Sequence, residues 1–228
     1  IMIETIASVG MLVEEELKIK KYRLIPDEYK DGYKRMCIVT GIYGDELGGQ
    51  YICYEVIRRI KANLDSLCGI VDVYPALNPM GLDSVSRGVP MFDMDLNTVF
   101  PGSTNGTVAE YTAACILKDI LGADVCVDIH SSNRFLREIP QVRINDDVAD
   151  ILIPYSSLLN TEVVWIHPST SVEDGSLAYC LNKQGVKTMV IEEGVALKID
   201  YDNCDAIIDG LFALMKEIIP PVKRELIE

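Results

Sequence analysis

The stretch "VTGIYGDELGGQ", Val39 to Gln50, decides how the chain is read. It grows out of "MCIVTG" (Met36–Gly41), an apolar run of strand length. It leads into "ELGGQYICYEVIRRIKANL" (Glu46–Leu64), where Ile52, Val56, Ile60 and Leu64 fall on one face at helical spacing. Glycines break the pattern in between, and Tyr43, Asp45 and Glu46 stand among them. A strand that bends sharply into a helix is the unit from which parallel α/β sheets are built. The bend has two readings: a tight connection only, or a turn that holds a metal.

The same alternation continues outward. "GIVDVYPALNP" (Gly69–Pro79), "ADVCVDIH" (Ala123–His130), "TEVVWIH" (Thr161–His167) and "VKTMVIEEG" (Val186–Gly194) read as strands. "TVAEYTAACILKDIL" (Thr107–Leu121) reads as a helix, with Thr107 and Glu110 forming a capping box. "DVADILIPYSSLLN", "SLAYCLNKQG" (Ser176–Gly185) and "NCDAIIDGLFALMKEII" (Asn203–Ile219) read as further helices. The expected fold is α/β: a mostly parallel or mixed twisted sheet with helices on both faces. Residues 1–35 are expected to form an edge hairpin or N-terminal extension of one domain spanning 1–228, and 220–228 a tail. Between Asn78 and Gly106 lies a long irregular loop, a length usually tied to function.

Composition narrows the partners. The 228 residues are 49% hydrophobic and 25% charged, enough for a sizeable core. Lys+Arg 21 against Asp+Glu 35 gives a net charge of −14. That sign argues against nucleic acid and anionic membranes as partners, and leaves an anionic substrate in a local cationic pocket open. No apolar run approaches the roughly 20 residues of a membrane-spanning helix, and no secretory leader is expected within the sequence. The seven cysteines are scattered without a CxxC pair, which implies a reducing, cytoplasmic setting without disulfides or a cysteine zinc site. The sequence leaves the oligomeric state open, a homo-oligomer included.

In open α/β sheets, ligands bind beyond the C-terminal ends of the strands. The polar residues there are Tyr43–Glu46, Asn78, His130–Ser132, His167 and Glu192–Glu193. Each has a bland reading. His130 and His167 read equally as strand-end histidines bonded to a neighbour. Glu46 reads as a first-turn acid favoured by the helix dipole. Glu192 is either a solvated acid or a general base tuned by burial. Glu193 alternates to the opposite face. Arg87 and Asn97 are loop residues, and an arginine there offers forked donors to a carbonyl or carboxylate.

Taken together, "GIYGDELGG", "ALNPMG…SRG", "FDMDLNTVFPG", "VDIHSS" and "VIEEG" resemble, in order and spacing, the succinylglutamate desuccinylase/aspartoacylase family of zinc carboxypeptidase-like hydrolases. The resemblance runs from about Met36 to about Leu214. It implies zinc held by Glu46 and His130, with Glu192 as general base and Arg87 polarising the scissile carbonyl. Asn97 would help grip a substrate carboxylate. Two positions depart from the family pattern. Tyr43 stands where the first ligand histidine belongs, and a phenolate there would shift metal preference away from zinc. Thr98 stands where an arginine should follow Asn97. The resemblance also implies a C-terminal β-rich domain that this sequence does not contain. The implied activity is metal-dependent hydrolysis of an amide bond in a small N-acyl amino acid or related carboxamide, impaired by Tyr43 and Thr98. Its rival is a non-catalytic binding or scaffold protein on the same fold with a degenerate metal site. His167 also ends a strand on this edge, but a different strand supplies it and Pro168 follows, which favours a structural role over that of a replacement ligand.

Overall fold

A computed structural model describes residues 1–10, 14–28, 31–90, 94–169 and 174–219. Phe92 and Asp93 of the "FDMDLNTVFPG" motif and the tail 220–228 lie outside the described residues.

Among the described residues eight strands form one mixed sheet: β1 (Met2–Gly10), β2 (Glu16–Leu24), β3 (Arg35–Thr40), β4 (Ile70–Tyr74), β5 (Val125–Ser131), β6 (Glu138–Asn145), β7 (Val163–His167) and β8 (Lys187–Gly194). Their order across the sheet is β1-β2-β4-β3-β5-β8-β6-β7. The central strands β4, β3, β5 and β8 run parallel. β1 and β2 form the expected antiparallel edge hairpin, and β2 joins β4 antiparallel. At the other side β6 runs antiparallel to β8.

Among the described residues six helices cover the sheet: α1 (Gly48–Ala62), α2 (Pro79–Ser84), α3 (Val108–Ile120), α4 (Ala149–Ser156), α5 (Leu177–Lys183) and α6 (Tyr201–Ile218). On one face Ile52, Val56 and Ile60 of α1 pack with Ile207 and Leu211 of α6 and Leu152 of α4. On the other, Ala113, Ile116 and Ile120 of α3 pack with Leu177 and Leu181 of α5. Each fully buried aliphatic side chain contributes about 1.5–3 kcal/mol relative to exposure, so these two layers fix the sheet. The capping box at Thr107 and Glu110 is present and starts α3 where the sequence places it.

Three features differ from the sequence reading. β6 is a strand that the pattern did not reveal, because Pro140, Gln141 and Arg143 interrupt its apolar periodicity. The long loop is not structureless: it carries α2 and a short 3-10 turn at Leu96–Thr98. Helix α1 begins at Gly48, so Glu46 belongs to the bend and not to the first helical turn.

The bend after β3 is unusually close to the long loop. A Cβ on Gly44 would run into the carbonyl of Gly81, so only glycine fits. Gly44 N donates to Ser86 O at 3.0 Å. Asn78 Nδ2 donates to Ile42 O at 3.3 Å and to Gly88 O at 3.1 Å. These bonds strap the segment carrying Arg87 onto the segment carrying Tyr43.

Candidate active site

The site lies at the C-terminal ends of β3, β5 and β8. Glu46 and His130 are both almost fully buried, at 2% and 4% exposure. Their contact is direct: His130 Nδ1 is 3.1 Å from Glu46 Oε2. The backbone N–H of Ser131 donates to the same oxygen at 3.1 Å. On the far side of the ring, Asp128 Oδ1 lies 3.1 Å from His130 Nε2. Asp128 and His130 are two residues apart on β5, so both side chains share one face of the strand. Burial alone would lower the imidazole pKa, but the Asp128 and Glu46 carboxylates override it and raise it well above the usual value.

Arg87 donates from Nη1 to the other Glu46 oxygen, Oε1, at 3.3 Å. Its guanidinium also lies over the Tyr43 ring, with Cζ 3.6 Å from the centroid. The Tyr43 hydroxyl donates to Asp95 Oδ2 at 3.1 Å. Burial first, and Asp95 second, push the Tyr43 hydroxyl up to about 12. It is therefore a neutral phenol near pH 7.

Glu192 pairs in register with His130 on the neighbouring strand. Burial first, with Glu46 and Glu138 adding to it, pushes its carboxyl up to about 7 against the pull of His130 and Arg143. Arg143, on β6, donates to Glu192 Oε1 at 3.4 Å and to Glu138 Oε2 at 2.6 Å. Trp165 of β7 lies 5.1 Å from the Arg143 guanidinium. Glu193 alternates to the helix-covered face, where Ser131 Oγ donates to it at 3.0 Å.

A cavity of about 180 Å³ is lined by Tyr43, Glu46, Arg87, Ser131, Ser132, Asn133, Glu138, Arg143 and Glu192. A second, of about 170 Å³, shares Arg143 and Glu192 with it and is also lined by Asn97, Asn145, His167, Ser176 and Asn182. The structure thus brings Tyr43, Glu46, Arg87, His130 and Glu192 together. It places Asn97 and His167 in the neighbouring cavity. Asn97 Oδ1 accepts from Leu177 N at 3.0 Å and so helps seat α5. Thr98 is exposed and lines neither cavity; its hydroxyl donates to Asp95 O at 2.8 Å.

Sequence reasoning missed Asp95, Asp128, Glu138 and Arg143. Asp128 had a signal, the i, i+2 spacing to His130 on a strand. Asp95 had none, because its partner Tyr43 is 52 residues away.

The donor set does not make a three-ligand zinc centre. Among the described residues no group of three or more His, Cys, Asp or Glu side chains is gathered as a metal site. Glu46 and His130 converge, Asp128 sits behind the ring, and the Tyr43 hydroxyl is committed to Asp95.

Residues 33–218 match the succinylglutamate desuccinylase/aspartoacylase catalytic domain, and the chain belongs to that family. The family is generally zinc-dependent. The chain is 32% identical over 104 residues to an N-alpha-acetyl-L-2,4-diaminobutyric acid deacetylase of Halomonas elongata. That match covers 45% of this chain and 30% of the deacetylase. A succinylglutamate desuccinylase/aspartoacylase structure from Rhodobacter sphaeroides superposes with a TM-score of 0.77 at 19% identity, covering 90% of this chain and 60% of that one. The product-bound ectoine utilization protein EutE (DoeB) from Ruegeria pomeroyi superposes at 0.76 with 21% identity, covering 89% and 61%. The chain therefore spans less than two thirds of these relatives. No helix among the described residues is long and apolar enough to cross a membrane.

Proposed function

We propose that the cavity between Glu46 and Glu192 binds a small N-acyl amino acid or related carboxamide and that the chain hydrolyses its amide bond. One observation carries the reading: a buried carboxyl poised at about 7 lines the same cavity as the Glu46 carboxylate, which His130 contacts, and an arginine. A base whose pKa lies near the working pH is the most effective proton acceptor. Glu192 takes a proton from the attacking water and later delivers it to the leaving amine. Arg87 is half-exposed and spends one donor on Glu46, so its remaining N–H groups are available to the developing oxyanion. A bound zinc would supply Lewis-acid polarisation of the carbonyl and of the attacking water. Glu46 and His130 would be two of its ligands, and the described residues gather no third.

A screen of N-acyl amino acids, read as release of free amine, tests the reading. Turnover lost in Glu192→Gln supports it. Failure of every compound to be hydrolysed removes the hydrolase. The Tyr43–Asp95 bond favours a second reading, a binding protein without turnover on the same cleft. Calorimetry separates the two: that reading requires the same ligand affinity in wild type and Glu192→Gln, with no product in either.

A further inference from the structure

A catalytic zinc takes three protein ligands and keeps one position open. Glu46 and His130 converge as two such ligands would, and position 43 is where the third belongs by resemblance. Here that position does something else. The flat phenol ring carries the Arg87 guanidinium, whose Cζ lies 3.6 Å from the ring centroid. The hydroxyl end is turned away to Asp95. From this platform Arg87 reaches Glu46 Oε1 at 3.3 Å. Glu46 Oε2 is taken by His130 Nδ1 and by Ser131 N, each at 3.1 Å. Both carboxylate oxygens that would face a metal are engaged, and the cation in front of one of them is an arginine.

The pieces depend on one another. A buried carboxylate needs a positive partner. A guanidinium, planar and weakly hydrated, stacks on an aromatic face while still donating from its edge. A phenol supplies a ring for that stacking; its hydroxyl finds an acceptor in Asp95, which at the same time accepts from Asn97 N at 2.9 Å. The straps from Asn78 and Gly44 hold the Arg87 segment over this ring.

We propose that Arg87, stacked on Tyr43 and paired with Glu46, is the resident cation of this centre, so that the folded chain keeps Glu46 and His130 in place without bound zinc. This rests on the cleft assignment made above and not on turnover.

The test is zinc binding by the purified chain. Zinc content is measured after dialysis against micromolar zinc, and affinity by competition with a chromophoric chelator. Cobalt(II) absorption reports the ligand geometry. The wild type is expected to retain far less than one zinc per chain and to give no tetrahedral cobalt band. Tyr43→His removes the platform and supplies an imidazole. It is expected to bind zinc at least about 100-fold more tightly, the upper end of what loss of an outer-shell partner alone costs. Tyr43→His with Arg87→Met should bind more tightly still. Circular dichroism confirms that each variant is folded, and Tyr43→Phe, which keeps the ring, should bind no more zinc than wild type. One tightly held zinc per wild-type chain, lost in Glu46→Gln, overturns the proposal. So does a folded Tyr43→His chain with no gain in affinity. Neither result depends on hydrolysis: a chain that cleaves nothing leaves the arginine assignment standing, and a zinc-loaded wild type leaves the hydrolase standing.

Discussion

The Tyr43 hydroxyl and the Asp95 carboxylate meet at 3.1 Å across 52 residues of chain. Asp95 uses its other oxygen to cap the turn at Leu96–Thr98, accepting from Asn97 N. One carboxylate therefore joins the bend after β3 to the loop that seats α5.

Removing the hydroxyl should be felt in stability. Tyr43→Phe leaves Asp95 Oδ2 without its donor, and a part-buried acceptor left unpaired costs about 1–3 kcal/mol. For a chain of this size that is a fall in Tm of several degrees. Thermal melts of the two proteins decide it, and equal midpoints would mean that water replaces the phenol freely.

Activity should rise with pH. Glu192 is pushed up to about 7 by burial, and a general base works only when deprotonated. The rate is expected to climb to a plateau with its midpoint near 7. Glu192→Gln should lower it by about 10²–10⁴-fold and abolish that limb. A profile that keeps its limb in the variant assigns the titration to another group.

Glu193 should tie stability to pH in the opposite sense from most carboxylates. Burial raises it from an ordinary 4.5 to about 7. Between those values the folded state holds a proton that the unfolded state releases. Its contribution is therefore fully present below about 4.5 and is lost as pH rises to about 7. Glu192 acts in the same direction. Denaturant unfolding across this range should show stability falling with pH, and Glu193→Gln should reduce the slope without removing it. An unchanged slope in that variant counts against a protonated Glu193.

Asp72 should do the reverse. It is fully buried among Arg23 and Arg35, each donating at 2.8 Å, with Lys21 at 3.6 Å. Burial opposes ionisation, but these cations hold its carboxyl below the ordinary 3.8. Its contribution is present above that value and disappears as pH falls through the lowered one. Asp72→Asn leaves the cations without their shared anion and is expected to cost about 3–5 kcal/mol at neutral pH. Chemical denaturation measures it; a loss under about 1 kcal/mol would show the network to be dispensable.

Much of the frame was legible in the sequence because it rests on local patterns. The apolar run of β3, the 3.6-residue face of α1 and the Thr107–Glu110 box each lie within a short window. The convergence of Glu46, His130 and Glu192 also followed from strand ends sharing one edge. What was not legible depended on distance or on function. β6 hides its periodicity because Arg143 faces the cavities and Gln141 is buried beside Glu138. Asp95 reaches the site through Tyr43, a residue far upstream. Asn97 and His167 lie on the correct edge yet open onto the neighbouring chamber, a separation that spacing along the chain does not encode.

The pairing of β5 with β8 sets His130 abreast of Glu192 and Ser131 abreast of Glu193. The gap between imidazole and acid is thus written in main-chain bonds, and a slip of one residue would exchange the two glutamates between opposite sides of the sheet. An exchange of side chain in the bend leaves that spacing alone. Such a scaffold lets one corner of a reactive centre drift to a new chemistry while the remaining corners keep their address.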